Sequence, residues 1–186
     1  MAYYEDKASV EEYLRQCLDY DGAALYPLLA PRLGGTPRLL ELGSGPGNDL
    51  TFLQQHCDVT ASDLSDAFLQ RLARQYPAVP RLKLNAHTLD HAEQYDWLFS
   101  NKVLHHLNEE QLKESLTRQK ALLSPGGRIA HTFWQGKGGF IHDDLTIRFY
   151  QPDQLKALFE QAFNSVEIFP YADVDAEDSL LVLAQL

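Results

Sequence analysis

A glycine-rich turn at residues 43–47 constrains this chain more than any other feature of its sequence. Residues 39–50 read LLELGSGPGNDL, an apolar run that ends in an acidic residue and is followed by three glycines at alternate positions. This order predicts a buried strand, a tight turn and the start of a helix. Because glycine has no Cβ, a ligand can approach the backbone of such a turn closely. In an open α/β sheet the turn lies at the carboxyl end of its strand, where ligands bind.

Size and charge limit the classes of protein to which the chain can belong. Its 186 residues suffice for one α/β domain and are too few for two ordinary ones. With 16 basic and 26 acidic residues the net charge is −10, which disfavours nucleic acid as a partner. We expect no membrane span, because no apolar run is long enough. Cys17 and Cys57 form no disulfide framework and fit a reducing, cytoplasmic setting.

Two helices are predicted before the first strand. Ser9 and Glu12 form a capping box, and apolar residues follow it at helical spacing. The second helix is expected to begin near Ala23 and to end at the glycine pair 34–35.

From residue 38 onwards strands and helices alternate, which predicts a parallel sheet covered on both faces. Strands are expected at 38–42, 59–62, 82–84, 97–99, 128–134, 166–169 and 180–183. Helices are expected at 47–56, after a Ser65 cap, after an Asn108 cap with Gln111, and from Pro152 to Phe163. The turn 125–127 should precede the fifth strand, and a glycine-bearing loop should cover 135–150. No helix separates the last two strands, so they should pair antiparallel.

Two classes of cofactor compete for the glycine turn. The dinucleotide fingerprint needs a third glycine at offset 5, but Asn48 occupies that position and Gly47 comes one residue earlier. A pyrophosphate would rest on the helix N-terminus, where Asp49 would repel it. A sulfonium cofactor with a zwitterionic amino-acid tail meets no such repulsion, which favours S-adenosylmethionine. A turn that serves only strand–helix packing is the alternative without a ligand.

Polar residues also follow the next three strands, where a nucleoside site needs them. Asp63 ends the second strand, and its carboxylate can accept hydrogen bonds from both ribose hydroxyls. Asn85 and Ala86 end the third strand and offer a side-chain carbonyl and a backbone amide to an adenine edge. Asn101 ends the fourth strand and should touch the cofactor or the substrate. A helix-capping role for Asp63 and a simple turn role for Asn85 are the alternatives.

These residues, with three further motifs, resemble the class I S-adenosylmethionine-dependent methyltransferases, in particular small stand-alone members. The further motifs are YDWLFSN at 95–101, VLHHL at 103–107 and LSPGG at 123–127. The resemblance covers roughly residues 38–186. It implies an α/β fold, a Rossmann-like three-layer sandwich with an N-terminal helical pair. Its seven-stranded, mostly parallel sheet has the order 3-2-1-4-5-7-6, and the last strand is antiparallel.

The resemblance also implies how the chain is organised and where the cofactor binds. We expect one methyltransferase domain over 1–186, with a helical lid or substrate region at 1–35 and a cofactor-binding core at 36–186. The glycine turn should shape the methionine end of the pocket, Asp63 should bind the ribose, and residues 85–86 should hold the adenine. The residues expected to bind S-adenosylmethionine are Glu41, Gly43, Ser44, Gly45, Gly47, Asp49, Asp63, Leu64, Asn85, Ala86 and Asn101.

The expected activity is direct in-line transfer of the methyl group to a small molecule. Such a displacement needs chiefly a nucleophile held about 3–3.5 Å from the methyl carbon, and a base only where the acceptor arrives protonated. His105 and His106, after the fourth strand, are the candidate catalytic bases. One of the pair should pack beneath the loop with a hydrogen bond to the backbone, and the other should face the cleft. His131 and His142 are further candidates, for which the alternatives are an interior histidine at 131 and an exposed loop residue or a substrate contact at 142. No metal-ligand spacing stands out, so no metal site is expected.

The acceptor pocket should come from the N-terminal helices and the loop 135–150, where the glycines at 136, 138 and 139 would allow a lid to move. Aromatic residues in or beside these segments could line the pocket or pack in the core: Tyr3, Tyr4, Tyr20, Phe133, Trp134, Phe140, Phe149 and Tyr150. Two other functions stay open. One is a regulatory protein that binds S-adenosylmethionine without catalysis, and the other is an NAD-dependent oxidoreductase.

Overall fold

The computed structural model describes residues 7–16, 20–142 and 145–186. The expectations for Cys17, Tyr3 and Tyr4 therefore fall outside the described residues. Within the described ranges, no helix combines the length and the apolar character that crossing a membrane requires.

A sheet of nine strands forms the centre of the described chain. Their bounds are β1 (Arg38–Leu42), β2 (Asp58–Asp63), β3 (Arg81–Lys83), β4 (Tyr95–Asn101), β5 (Leu123–Gln135), β6 (Gly139–His142), β7 (Leu145–Tyr150), β8 (Ser165–Tyr171) and β9 (Ser179–Gln185). Seven strands follow the order β3-β2-β1-β4-β5-β9-β8. The first five are parallel, and β9 is antiparallel to both β5 and β8. The predicted order and the antiparallel last strand are confirmed.

Helices cover both faces of this sheet. Their bounds are α1 (Lys7–Gln16), α2 (Tyr26–Leu29), α3 (Leu50–His56), α4 (Asp66–Gln75), α5 (Glu109–Ala121) and α6 (Pro152–Phe159), with 3₁₀ turns at Ala30–Arg32 and Leu104–His106. Buried residues of α5 and α6 share one hydrophobic core, and those of α2, α3 and α4 share the other. In β1, Leu40 and Leu42 belong to the first core and Leu39 to the second. A strand buried on both faces reads as an apolar run, which is why β1 was predictable.

The segment predicted as a glycine-bearing loop is a β-hairpin, and that prediction was wrong. β6 and β7 pair antiparallel from Gly139↔Arg148 to His142↔Leu145. A Cβ built on Gly139 would lie 2.2 Å from the carbonyl oxygen of Ile147. The glycine therefore permits close approach of two strands.

The hairpin extends the sheet past the end of β4. β7 pairs in parallel with the last two residues of β5, through Trp134↔Phe149 and Gln135↔Tyr150. One edge of β5 pairs with β9 as far as Trp134. β7 therefore pairs with the opposite edge of β5, which is the edge that pairs with β4 earlier in the strand. β4 makes its last pair with β5 at Asn101↔Thr132. The hairpin thus stands directly beyond the carboxyl end of β4.

The N-terminal helices differ from the sequence prediction. α1 already includes residues 7–9, so Ser9 is not an N-cap and the predicted capping box was wrong. The second helix is one α-helical turn followed by a 3₁₀ turn. Pro31 has no N–H with which to continue the α-helical bonding, which explains the change. α3 starts at Leu50 rather than 47, because Gly47 has a φ of 87°.

Later boundaries agree more closely with the sequence. Ser65 caps α4, and Asn108 forms a capping box with Gln111 at the start of α5, as predicted. α6 starts at Pro152 but ends at Phe159, short of the predicted end. The predicted turn at 125–127 instead lies within β5, where the pairing with β4 moves from Tyr95↔Leu123 to Trp97↔Arg128.

Candidate functional site

A cleft with a volume of about 90 Å³, partly open to solvent, lies at the carboxyl ends of β1 to β4. The structure brings most of the predicted site residues to its wall. The turn after β1 and the end of β2 contribute Gly43, Gly45, Asp63 and Leu64, and the chain after β3 and β4 contributes Asn85, Ala86 and Asn101. Glu41, Ser44, Gly47 and Asp49 lie outside the wall of the cleft.

The three glycines of the turn have left-handed backbone conformations and different surroundings. A Cβ on Gly43, at φ 65°, would lie 2.7 Å from Cγ2 of Val103. A Cβ on Gly47, at φ 87°, would lie 2.6 Å from Cδ2 of Leu72. Both glycines therefore serve tight packing. Near Gly45, at φ 50°, the closest atom would be 3.9 Å away, in Tyr13, so the space in front of its backbone is open to a ligand.

Asp63 connects the end of β2 to the glycine turn. Its Oδ2 accepts a hydrogen bond of 2.8 Å from the Gly45 amide, and its Oδ1 accepts one of 2.8 Å from the Ser65 amide. Burial raises the pKa of Asp63, while these amides counteract the effect. A carboxylate has about four acceptor positions. The amides of Gly45, Ser65 and Leu64 act on this carboxylate, which leaves about one acceptor position for a hydroxyl group of a ligand.

Glu41 and Ser44 lie behind the turn. Glu41 is 2% exposed, and its Oε2 has no hydrogen-bond partner among the described residues. Burial, and then the charge of Asp49, raise the pKa of Glu41. Ser44 ties the turn to β2, because its amide donates to the carbonyl of Ser62 and its Oγ accepts from the Ser62 amide. These two residues support the turn from below the cleft.

Asp49 is the buried centre of a polar network beside the turn. It accepts hydrogen bonds from Tyr26 Oη at 2.9 Å, Asn101 Nδ2 at 3.1 Å and Tyr20 Oη at 3.4 Å. Burial raises the pKa of Asp49, and the three hydrogen bonds lower it. Thr132 in β5 donates to Asn101 Oδ1 at 2.6 Å. The network therefore joins the N-terminal region to the ends of β4 and β5.

Asn85 forms a local turn at the edge of the cleft. Its Oδ1 accepts a hydrogen bond of 2.8 Å from the amide of His87, which is the turn role considered as an alternative from the sequence. Asn85 and Ala86 nevertheless both line the cleft. The proposed contact of these two residues with adenine stays a prediction.

The two adjacent histidines have different positions. His106 lines the cleft, and its Nδ1 lies 2.8 Å from the carbonyl oxygen of Thr146. His105 is 3% exposed and does not line the cleft, and its Nδ1 has no partner among the described residues. Burial lowers the pKa of both rings. From the sequence, one histidine of the pair was expected to bond to the backbone and the other to face the cleft. In the structure His106 does both.

The remaining candidate histidines lie away from the cleft. His131 is fully buried, with Nδ1 2.8 Å from Ser100 Oγ and Nε2 2.8 Å from Gln119 Oε1. Burial lowers its pKa to about 3, and its predicted role as an interior histidine is confirmed. His142 is exposed on β6. Among the described residues, no group of three histidine, cysteine or acidic side chains could hold a metal ion.

Lys102 was missed by the sequence analysis. It follows Asn101 with a left-handed φ of 54° and contributes to the wall of the cleft. Its Nζ lies 3.5 Å from the Trp134 ring centroid and 3.5 Å from Oδ2 of Asp173. Burial lowers the pKa of Lys102 to about 8. Trp134 therefore packs on this lysine. It does not line the cleft, which was one of the two roles expected for it from the sequence.

Other aromatic residues also divide differently from the prediction. Phe133 and Tyr150 belong to the core, and Phe140 is 50% exposed on β6. Tyr13 and Phe68 line the cleft and pack edge-on with centroids 5.9 Å apart. Tyr13 lies in α1 and Phe68 in α4, and nothing in the sequence distinguishes an aromatic residue on the apolar face of a helix from one that faces a cleft.

Comparison with known proteins relates the chain to methyltransferases. A family model described as a methyltransferase domain matches residues 40–129. The non-reducing polyketide synthase tazA of Aspergillus terreus is 30% identical over 94 residues, which are 47% of this chain. The chain spans 4% of the length of that curated relative.

Several solved methyltransferase structures have a similar fold. The 1,6-didemethyltoxoflavin-N1-methyltransferase of Burkholderia thailandensis, bound to 1,6-didemethyltoxoflavin and S-adenosylhomocysteine, matches with a TM-score of 0.79 and 23% identity over 96% of this chain and 84% of that chain. The glycopeptide N-methyltransferase MtfA, bound to S-adenosylhomocysteine, matches with a TM-score of 0.76 and 16% identity over 98% of each chain. The N-methyltransferase NodS of Bradyrhizobium japonicum matches with a TM-score of 0.69 and 17% identity, over 95% of this chain and 97% of that chain. At these identities the likeness establishes a shared fold.

Proposed function

We propose that this chain is a class I methyltransferase and that it transfers a methyl group from S-adenosylmethionine to a small-molecule acceptor by direct in-line displacement. The observation that carries the proposal is the cleft at the glycine turn, where the open backbone of Gly45 lies beside the buried carboxylate of Asp63. The family model matches the segment that contains this turn. MtfA and the Burkholderia enzyme, which share the fold, were solved with S-adenosylhomocysteine.

The charges around the turn favour a sulfonium cofactor over a dinucleotide. Asp49 and Asp63 place two buried acidic side chains around the segment that leads into α3. Glu41 adds no charge near neutral pH, because burial raises its pKa to about 8. A pyrophosphate at the start of α3 would meet these groups, and only the helix dipole would favour its binding. The sulfonium and ammonium groups of S-adenosylmethionine are attracted to the same charges. In this arrangement Asp63 accepts from a ribose hydroxyl, and Asn85 with Ala86 contacts the adenine.

Transfer of the methyl group requires positioning more than acid–base chemistry. The carbon–sulfur bond breaks as the acceptor atom bonds to the methyl carbon, and S-adenosylhomocysteine leaves as a neutral thioether. The chain supplies a cleft in which the acceptor is held in line with that bond. Asn101 lies at the end of β4, next to the expected reacting centre. His106 is the histidine on the wall of the cleft, so we assign the role of proton acceptor to it rather than to His105.

The acceptor side of the site suits a small molecule. α1 contributes Tyr13 to the cleft, and Tyr20 and Tyr26 bind Asp49, which supports a lid or substrate region within residues 1–35. The Burkholderia relative was solved with 1,6-didemethyltoxoflavin, a small molecule. A net charge of −10 opposes binding to nucleic acid. The cytoplasmic setting inferred from the cysteines also stays a prediction.

Two measurements test this proposal. Calorimetry should show binding of S-adenosylmethionine and S-adenosylhomocysteine and none of NAD. Incubation with methyl-labelled cofactor and a metabolite extract should then transfer label to a small molecule. Binding of the cofactor without transfer to any fraction would favour the regulatory protein instead. Binding of NAD in place of the sulfonium cofactor would overturn the assignment. Gly45→Val should abolish binding by filling the open space of the turn, and Gly34→Ala, whose Cβ meets nothing within 4 Å, is the matched control.

A further inference from the structure

The β6–β7 hairpin holds His106 at two separate points. The ring Nδ1 of His106 lies 2.8 Å from the carbonyl oxygen of Thr146. Arg148, two residues further along β7, donates from Nη1 to the carbonyl oxygen of His106 at 3.1 Å. One contact fixes the ring and the other fixes the backbone. Together they determine where the imidazole stands relative to the cleft.

The contact with Thr146 determines which ring nitrogen carries the proton. A carbonyl oxygen only accepts hydrogen bonds, so Nδ1 must be the donor. In the neutral ring the lone pair is therefore on Nε2. A proton that leaves a methyl acceptor in the cleft can be taken up only at Nε2.

Arg148 is also the cation that acts on this ring. Burial is the main cause of the lowered pKa of His106, the bond to Thr146 raises that pKa, and the charge of Arg148 lowers it. The other titratable groups at the turn are His105, whose ring centroid is 4.0 Å from that of His106, and Lys102 at the end of β4. The charges of Lys102 and Arg148 both act on His105. Arg148 thus favours the neutral, proton-accepting form of His106.

We infer that Arg148 is a positioning residue for methyl transfer, which holds the 3₁₀ turn in place so that the His106 ring, bonded to Thr146 through Nδ1, has its lone pair on Nε2. This inference rests on the proposed function. In the step it supports, the acceptor loses its proton to Nε2 as it bonds to the methyl carbon, and the carbon–sulfur bond breaks. The imidazolium then releases that proton to water. The net products are the methylated acceptor, S-adenosylhomocysteine and one proton.

Nitrogen NMR of the cofactor-free protein tests the inference without any need for activity. The ring signals of His106 are assigned from their loss in His106→Gln. We expect a protonated Nδ1 and an unprotonated Nε2 in the neutral ring. Arg148→Gln should raise the titration midpoint of His106, because a nearby positive charge is lost. Arg148→Lys should stay close to wild type.

A charge control and a kinetic readout complete the experiment. Lys137→Gln removes a cation next to the start of the same hairpin and should leave the titration unchanged, because the charge of Lys137 is not among the causes that shift the pKa of His106. With an identified acceptor, the acid limb of the kcat profile should move to higher pH in Arg148→Gln and stay in place in Arg148→Lys. A proton on Nε2, or equal titration in wild type and Arg148→Gln, would overturn the inference. A shifted titration in a protein that does not bind S-adenosylmethionine would instead refute the proposed function and leave the contact intact.

Discussion

The amide of Gly45 and the carboxylate of Asp63 are joined by a hydrogen bond of 2.8 Å, which ties the turn after β1 to the end of β2. The opposite oxygen of Asp63 holds the amide at the start of α4. The acidic side chain therefore shapes the cleft from two sides before any ligand arrives.

Replacement of Asp63 by asparagine should weaken binding of S-adenosylmethionine by tenfold or more. The asparagine side chain has one acceptor oxygen, so its NH₂ group must face either the Gly45 amide or the Ser65 amide, both of which are donors. Loss of a hydrogen bond to a charged group costs about 1.5–3 kcal/mol. Calorimetry measures the affinity, and Asp66→Asn, at an exposed residue paired with Lys83, should bind as wild type does. Unchanged affinity in Asp63→Asn would show that the ribose binds elsewhere.

Gly43→Ala should destabilise the fold by several kcal/mol. The added Cβ would lie 2.7 Å from Val103, and the left-handed φ of 65° disfavours any side chain. The strain of such a conformation alone costs about 1–2 kcal/mol. Urea unfolding of the cofactor-free protein measures the change. In the double variant, Val103→Ala should recover the part of the lost stability that comes from the steric clash, but not the part that comes from the left-handed backbone. A urea midpoint equal to wild type in Gly43→Ala alone would contradict the packing described.

Glu41 should contribute a pH dependence to the stability of the cofactor-free protein, with stability falling as pH rises. Burial, followed by the charge of Asp49, raises the pKa of Glu41 from 4.5 to about 8. Between these values the folded protein holds a proton that the unfolded chain has released. Stability therefore decreases with increasing pH, by up to about 1.4 kcal/mol per pH unit.

Glu41→Gln should flatten this dependence between pH 4.5 and about 8, because an amide does not ionise. Urea unfolding at pH 5, 6, 7 and 8 is the measurement, and Glu167→Gln on the exposed side of β8 is the control. The Glu167 variant should retain the slope of wild type. If the Glu41 variant retained it as well, Glu41 would be ionised in the folded protein throughout this range.

Tyr26→Phe should cost about 1.5–3 kcal/mol of stability while the aromatic packing is preserved. The hydroxyl donates 2.9 Å to Asp49, and its loss leaves a buried carboxylate with one donor fewer. The ring stacks on Phe52 at 4.1 Å, a contact that phenylalanine retains. Tyr76→Phe removes an exposed hydroxyl that lies 3.1 Å from Thr51 and should change the unfolding free energy by less than about 0.5 kcal/mol. Equal losses in the two variants would contradict a special role for Asp49.

Most of the parallel sheet could be predicted because its strands are buried on both faces. β1 and β4 read as apolar runs that end in polar residues, and these endings mark the edge where the cleft forms. The hairpin was not predictable, because glycines interrupt the alternation of side chains at its start. The glycine pattern suggested a mobile loop, whereas the close approach of Gly139 to the backbone of Ile147 shows a paired strand.

Asp63, Asn85, Ala86 and Asn101, which lie at or after strand ends, all line the cleft. The hydrogen-bond partners of the residues around the cleft were not foreseen. Periodicity identified the apolar face of a helix, but it does not indicate that Tyr20 and Tyr26 both reach Asp49. That contact depends on the path of the chain before β1. The left-handed turn at Lys102 left no signal either, because lysine has no special preference for that conformation.

β5 continues beyond the last residue that β4 pairs with, and the hairpin occupies the vacant flank through two pairs of residues. Because only two residue pairs join the hairpin to β5, the hairpin can be exchanged while the other seven strands keep their neighbours. The described residues of the hairpin do not line the cleft, but they bind His106, which does. A different hairpin in a related chain would therefore move this ring and leave the glycine turn unchanged.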